Sequence, residues 1–484
     1  MQARTILKWS AVGAVILLVA ACAVVYTAWA RGRYLGEPAD GRPLALVGGR
    51  VYDPAGDSII ADAVVVIEGR RIAAVDPFAR LPDSVRVLDV TGLTLLPGLI
   101  DSHVHLSGIP TRLSDGSREL GWLSYLWTFL RQFPDRRQTL IERGVTSVVS
   151  LGDPHPWIVN FADRIEQHQL AGPRVFVSGP YLTVSGGHPV ERFRRTGQGD
   201  TSFIAQVARQ LVGPAEAAAT VKLLSRNVDF VSIVLETRGD PQLPRLPAPV
   251  VRSLVSAAHG EDLRARVHVS AVAELAVAID TGADGIEHVP FDAELDSSAV
   301  AALVESRAVV DPTLQALEGW LSGYRGDTAA ARRARRNTAR LAQAGVPLVA
   351  GSDAPSPGTG FGFTLHEELR NLVESGYTPG QAIAAATLVA ADHLGLAGRL
   401  GSIAPGKWAD IIAVGGDPLT TIESLSDIYL VIADGRTLYE RLDEVKRPGR
   451  VIAMRAAATK VRGGSGPEMD ASLSNLDPVP SGGR

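Results

Sequence analysis

The chain has 484 residues, with 48 Lys plus Arg against 52 Asp plus Glu, one Cys, and 46% hydrophobic and 21% charged side chains. This length predicts two or three domains, or one large α/β barrel filling most of the chain, and the composition excludes wholesale disorder and a low-complexity or collagen-like chain. A net charge of −4 argues against a nucleic-acid partner, because neutralising phosphates takes a basic face, and one Cys cannot close an internal disulfide.

From Trp9 to Ala30 the sequence carries no charge, between Arg4 and Lys8 on one side and Arg31 and Arg33 on the other. Roughly 20 apolar residues cross the hydrocarbon core, so this run is long enough to span a membrane. A basic start followed by an apolar run also describes an export signal. The expectation is an uncleaved signal anchor. A lipoprotein, with Cys22 of Val19-Ala20-Ala21-Cys22 as the lipidated residue, and a cleaved signal are the alternatives. Near-equal Lys and Arg counts on the two flanks leave orientation open by the positive-inside rule. The short N-terminal tail favours export of everything after residue 30, which puts the catalytic part on the periplasmic or extracellular side. Residues 31–42 read as a polar linker.

Residues 43–95 alternate apolar and polar positions between turn signals, as short antiparallel strands and hairpins do, and residues 401–456 repeat that grammar. Two strand-rich ends predict one small composite β-sandwich. Between them, residues 96–400 carry apolar runs followed by helical stretches. The runs lie at 96–104, 145–152, 174–179, 228–236, 266–270, 285–289, 308–314 and 347–353. Such a series predicts a (β/α)8 TIM barrel, whose chemistry gathers at the C-terminal ends of the strands. Residues 457–484 lack the apolar residues to order themselves and read as a loose tail.

Ligand-type residues fall at those strand ends: His103 and His105 on the first strand, His268 on the fifth, His288 on the sixth and Asp353 on the eighth. Residues two apart on a strand point to the same side, so His103-Val104-His105 aims both imidazoles at one point. Imidazoles with a carboxylate suit Zn²⁺ or a similar divalent ion, with a position left open for a water whose pKa falls to about 7. Asp353 then serves as ligand and proton shuttle. His155, His168, His259 and His393 have no such placement and read as surface or packing residues.

The motifs LPGLIDSHVHL, VHVSAVAELAVAIDTGADGIEHV, VAGSDAP and GSIAPGKWADIIAV, in this order and spacing, resemble the amidohydrolase superfamily over residues 44–455. Within it the chain is similar to the imidazolonepropionase-like members that include bacterial metal-dependent dipeptidases. The resemblance implies the composite sandwich beside the barrel and Asp353 as general base. It implies a His288 that ligates a second metal or stabilises the transition state. It also implies hydrolysis of a C–N bond in a small dipeptide, N-acyl amino acid or cyclic amide, with deamination or lactone hydrolysis as the enzymatic alternative.

One departure is evident. Where many relatives read Asp-Phe-Ile-Lys on the fourth strand, with the Lys bridging two metals, this chain has Asp229-Phe230-Val231-Ser232. A serine cannot replace a bridging carbamate. The expectation is therefore one ion, held by His103, His105, His268 and Asp353 with His288 close by, unless Glu236 on the same strand face repairs the site. Glu236 facing solvent or pairing with Arg238 is the other reading, and a relative that binds a ligand without turnover is the non-enzymatic one. After the third strand, Gly186-Gly187-His188 lets backbone N–H groups approach a ligand and places His188 to polarise a carbonyl or bind a carboxylate. Arg192, Arg194 and Arg195 come next as a candidate carboxylate clamp, and Tyr324 as a weaker contact. The expected partners are a small-molecule substrate, the membrane and a possible second copy of the chain.

Overall fold

The first strands, β1 (Leu44–Asp53), β2 (Ser58–Glu68) and β3 (Arg71–Asp76), form an antiparallel meander. The next two, β4 (Arg86–Asp89) and β5 (Thr94–Pro97), instead lie parallel to β1, which corrects the all-antiparallel expectation. The Gly48-Gly49 step, where the β1 register shifts and Gly48 takes φ +85°, divides this edge between the two. A bulge bends the strand, so Leu44–Val47 pairs with β4 and Arg50–Val51 with β5.

The computed structural model describes residues 13, 15, 17–23, 41–108, 122–195 and 201–445, with the side chains of 122–131, 193–195 and 201–203 outside the description. The expected anchor falls largely outside these residues and the expected tail wholly so. Among the described residues no helix is long and apolar enough to cross a membrane.

The barrel comes next along the chain. Its staves are β6 (Leu99–Val104), β7 (Val145–Ser150) and β8 (Arg174–Val177), then, past the loop strands β9 (Tyr181–Val184) and β10 (Ala208–Leu211), β11 (Phe230–Val234), β12 (Arg264–His268), β13 (Gly285–Glu287) and β14 (Val309–Asp311). Neighbouring staves pair in parallel from β6 to β8 and from β11 to β14. Asp229 joins the two arcs, its N–H on the Val177 carbonyl at 2.8 Å and its carboxylate accepting the Val177 N–H at 2.8 Å. An eighth segment, residues 347–354, closes the ring through the bridges Val310↔Leu348 and Val104↔Ala354. It is irregular because Pro347 lacks a donor and Asp353 takes φ +48°.

Stave residues are buried on both faces, which explains why they read as unbroken apolar runs rather than alternation. Helices cover the outside with one apolar stripe each. Ala248–Gly260, for example, buries Val250, Val251, Leu254, Val255 and Ala258 at the 3.6-residue period. The chain returns to the sheet with β15 (Ile411–Val414), antiparallel to β5, then β16 (Ile428–Ala433) and β17 (Arg436–Glu440). Strands from both ends of the described chain thus form a single sheet, ordered β17-β16-β15-β5-β1-β2-β3 with β4 on β1.

Candidate metal centre

Asp101, His103 and His105 succeed one another at two-residue spacing out of β6, and this alternation turns both imidazoles toward the barrel axis. His103 is fully buried, and its ring centroid lies 5.1 Å from His105, 5.2 Å from His268 and 5.1 Å from His288. Asp353 Oδ1 stands 2.9 Å from His105 Nε2 and 3.7 Å from His103 Nε2. The structure therefore brings His103, His105, His268, His288 and Asp353 together.

Each imidazole has one nitrogen tied down and the other aimed inward. His103 Nδ1 donates to Glu287 Oε2 at 2.8 Å, and His105 Nδ1 donates to the Leu151 carbonyl at 2.5 Å. Thr313 Oγ1 spends its proton on the Pro312 carbonyl at 2.8 Å, so it accepts from His288 Nδ1 at 2.6 Å. Ser232 Oγ lies 2.9 Å from His268 Nε2, which leaves His268 Nδ1 facing His288 Nε2 at 3.5 Å. Such outer partners fix which lone pair an imidazole presents to an ion. Burial, then the neighbouring His103, hold His268 well below the usual imidazole range and bring His288 down to about 3, so both stay neutral and able to ligate. Burial alone would raise Asp353, but the His105 hydrogen bond, then the neighbouring His103, outweigh it and keep the carboxylate ionised.

The donor set fits a divalent cation. His103 Nε2 is buried without a hydrogen-bond partner, an arrangement that costs about 1–3 kcal/mol unless something occupies its lone pair. Two overlapping groups, His103 with His268 and His288, and His103 with His105 and Asp353, each gather ligand atoms within 4.8 Å of one another.

Backbone strain marks the same rim. His288, Thr313 and Asp353, at the ends of successive staves, take φ values of +68°, +46° and +48°. Left-handed conformations at non-glycine residues persist only where the surroundings enforce them, and for β-branched Thr313 the cost is high. These turns break the alternation of side chains along the strand. As a result Glu287 and His288, adjacent in sequence, both reach the interior.

Beneath the imidazoles lies an ionic layer that sequence reasoning missed. Arg266, 2% exposed, bonds Glu287 through Nε and stands 3.7 Å from Asp311 Oδ2. Burial would raise Glu287, yet the Arg266 charge and the His103 bond hold it well below the usual carboxylate range. Gly351 makes room for this layer, since a Cβ there would collide with Asp311 Oδ2.

Glu236 does not join the ligands. Its Oε1 stands 3.4 Å from His188 Nε2, and burial raises its pKa to about 7. His188 is buried, bonded through Nδ1 to Glu191 at 2.8 Å, and lowered to about 4 by burial. Of the expected arginines, Arg192 is held below its usual value by burial and then by the Arg238 charge, whereas the side chains of Arg194 and Arg195 lie outside the description. Tyr324 is 46% exposed. Tyr181, which no motif flagged, places its Oη 3.1 Å and 3.2 Å from the two ring nitrogens of His105. A Cβ on Gly152, at φ +66°, would run into that ring.

Comparison with known proteins decides the family, because the amidohydrolase family model matches residues 94–438. The chain belongs to the amidohydrolase family. It is 26% identical to imidazolonepropionase of Micrococcus luteus over 74% of this chain and 88% of that protein. It is 28% identical to imidazolonepropionase of Anaeromyxobacter sp. (strain K) over 80% and 93%. Among solved structures, a Xaa-Pro dipeptidase with bound methionine in the active site superposes with a TM-score of 0.71 and 26% identity, covering 82% of this chain and all of that one. This amidohydrolase is a hydrolytic enzyme acting on C–N bonds, and its centre has the residues to hold a divalent metal ion.

Proposed function

We propose that this amidohydrolase cleaves the amide bond of a small dipeptide-like or N-acyl amino acid substrate, using one divalent ion, zinc first among candidates. The observation that carries the reading is the convergence of His103, His105, His268 and Asp353 with His288 in one buried cluster. When bound, such an ion polarises a carbonyl and acidifies water. Asp353 takes the proton from the attacking water and passes it to the departing nitrogen, and its Oδ2 is steadied at 2.9 Å by Ser356 Oγ. His288, neutral and oriented by Thr313, faces the oxygen on which charge develops. Ser232 and the retracted Glu236 support one ion over two, since neither offers a bridging anion. The dipeptidase relative with bound methionine supports an amino-acid-like substrate, and the imidazolonepropionases keep a cyclic amide as the second reading.

The test is an assay of the zinc-loaded full chain on pooled dipeptides, N-acyl amino acids and cyclic amides, beside Asp353→Asn. Hydrolysis of the first two classes, lost by at least about 10³-fold in the variant, supports the reading. Turnover of cyclic amides alone overturns the substrate class. Turnover unaffected by Asp353→Asn overturns the mechanism, and two ions per chain at full occupancy overturn the one-metal centre.

Export behind an anchor at residues 9–30 belongs to the same reading on the sequence alone, and cell fractionation with protease accessibility tests it.

A further inference from the structure

Thr313 stands where a threonine ordinarily caps its own helix, yet its hydroxyl serves another residue. It precedes the short helix Leu314–Glu318, and an N-cap hydroxyl usually accepts a backbone N–H of the first turn. Thr313 makes no such bond. At φ +46° it donates instead to the Pro312 carbonyl at 2.8 Å and accepts from His288 Nδ1 at 2.6 Å. The helix is capped from elsewhere in the chain. Glu368, fully buried on the helix Phe363–Glu374, accepts the Leu314 N–H on Oε1 and the Gln315 N–H on Oε2, both at 2.8 Å. Asn371 donates to Oε2 at 3.4 Å and accepts from Arg335 Nη1 at 3.1 Å, which steadies the carboxylate.

The helix end and His288 compete for one hydroxyl. Buried N–H groups are almost always paired, so without Glu368 those at the start of this helix would draw on Thr313 in the way that an ordinary N-cap serves its own helix. An N-cap of that kind has extended backbone, so Thr313 would leave the left-handed region and His288 Nδ1 would lose its acceptor. A left-handed threonine persists only where its surroundings enforce it. We propose that Glu368 is a positioning residue: by answering the N–H groups of Leu314 and Gln315 it holds Thr313 left-handed and keeps the Thr313 hydroxyl on His288 Nδ1. The orientation of His288 in the centre is thereby set from a helix that follows the eighth barrel segment. The effect of Glu368 on rate rests on the role proposed for His288 toward the oxygen on which charge develops.

The test reads His288 apart from turnover. Proton NMR of the zinc-loaded full chain, with histidine rings labelled with ¹⁵N, follows exchange of the His288 Nδ1 proton with water, the signal being identified by its absence in His288→Asn. The measurements are made at about pH 8.5, above the value of about 7 to which burial raises Glu368. Exchange is expected to be about tenfold faster or more in Glu368→Gln, which keeps one acceptor oxygen of two, and in Thr313→Val, which removes the hydroxyl. Thr313→Ser, which restores it, should exchange as the wild type does. On the amide that the wild type hydrolyses fastest, Glu368→Gln and Thr313→Val should each lower kcat about tenfold or more with KM within about threefold. The double variant should fall within about threefold of Thr313→Val, since the two residues act through one hydroxyl. Thermal melting confirms that each variant is folded, and where Glu368→Gln is not, Glu368→Asp, with the charge on a shorter arm, carries the test. Wild-type exchange in the Glu368 variant, or losses that multiply in the double variant, overturns the proposal. Faster exchange in both single variants with kcat unchanged would leave the link from Glu368 to His288 standing and overturn the role of His288 in the reaction instead.

Discussion

Replacing Glu287 with Gln exchanges one carboxylate oxygen for an amide nitrogen, and two buried donors feel the change. Glu287 serves both at once: Arg266 Nε on Oε1 and His103 Nδ1 on Oε2. A glutamine offers one acceptor oxygen, so either Arg266 or His103 loses its partner, and Arg266 loses its charge partner in both cases. Arg266 and Glu287 are 2% and 1% exposed by side chain, so solvent screening does not soften the loss. Breaking a buried pair costs about 3–5 kcal/mol, and disturbing an outer partner of a metal-ligating histidine costs about 10–100-fold in metal affinity. We expect Glu287→Gln to lose about 3 kcal/mol in denaturant unfolding at neutral pH and to bind Zn²⁺ at least tenfold more weakly by chelator competition. The sign with pH is fixed. A carboxylate held below its unfolded value stabilises above that value and loses the contribution as pH falls through the folded one, so the gap between wild type and variant narrows below about pH 4.3. Zinc affinity within threefold of wild type, with stability within about 1 kcal/mol, would refute the claim that Glu287 sets the His103 lone pair.

The same geometry carries other expectations. Ser232→Ala strands His268 Nε2 in a buried position and should weaken zinc binding about tenfold while costing about 1–3 kcal/mol, read by the same chelator competition and by denaturation. Gly152→Ala drives a methyl into the Tyr181 ring at φ +66°, and unfolding should show a loss of about 2 kcal/mol or more, with no loss arguing that the ring moves freely. His393 is buried and its pKa falls to about 3, through burial first and the Arg266 charge second. The unfolded chain therefore takes up this proton first on acidification, and the group removes about 2 kcal/mol of stability between pH 7 and pH 5. His393→Leu should flatten that stretch of the stability profile by the same amount, and an unchanged slope would place the titration elsewhere.

The staves were legible because each is an apolar run long enough for one strand and bounded by turn residues, a pattern that burial on both faces imposes. His103 and His105 were legible for a similar reason, since two-residue spacing on a strand needs no tertiary information. Sequence could not show that Glu287 faces inward beside His288, because alternation assigns neighbours to opposite faces until a left-handed residue intervenes. Nothing in the side chains of His288, Thr313, Asp353 or Arg238 announces φ above zero, as a glycine would. Tyr181 was hidden likewise, its place set by Gly152 some thirty residues earlier in the chain.

Ser232 shows where a local reading stops short. Against the expected lysine it reads as a loss, a short uncharged side chain where a bridging anion belongs. In the structure its hydroxyl lies fully buried against His268 Nε2, the role that Glu287 plays for His103 and Thr313 for His288. Each of these imidazoles then has one nitrogen occupied by an uncharged or internally paired partner and one turned to the centre. An anion at position 232 would stand buried against His268 Nε2 in place of that hydroxyl. The substitution is therefore coherent with the rest of the centre.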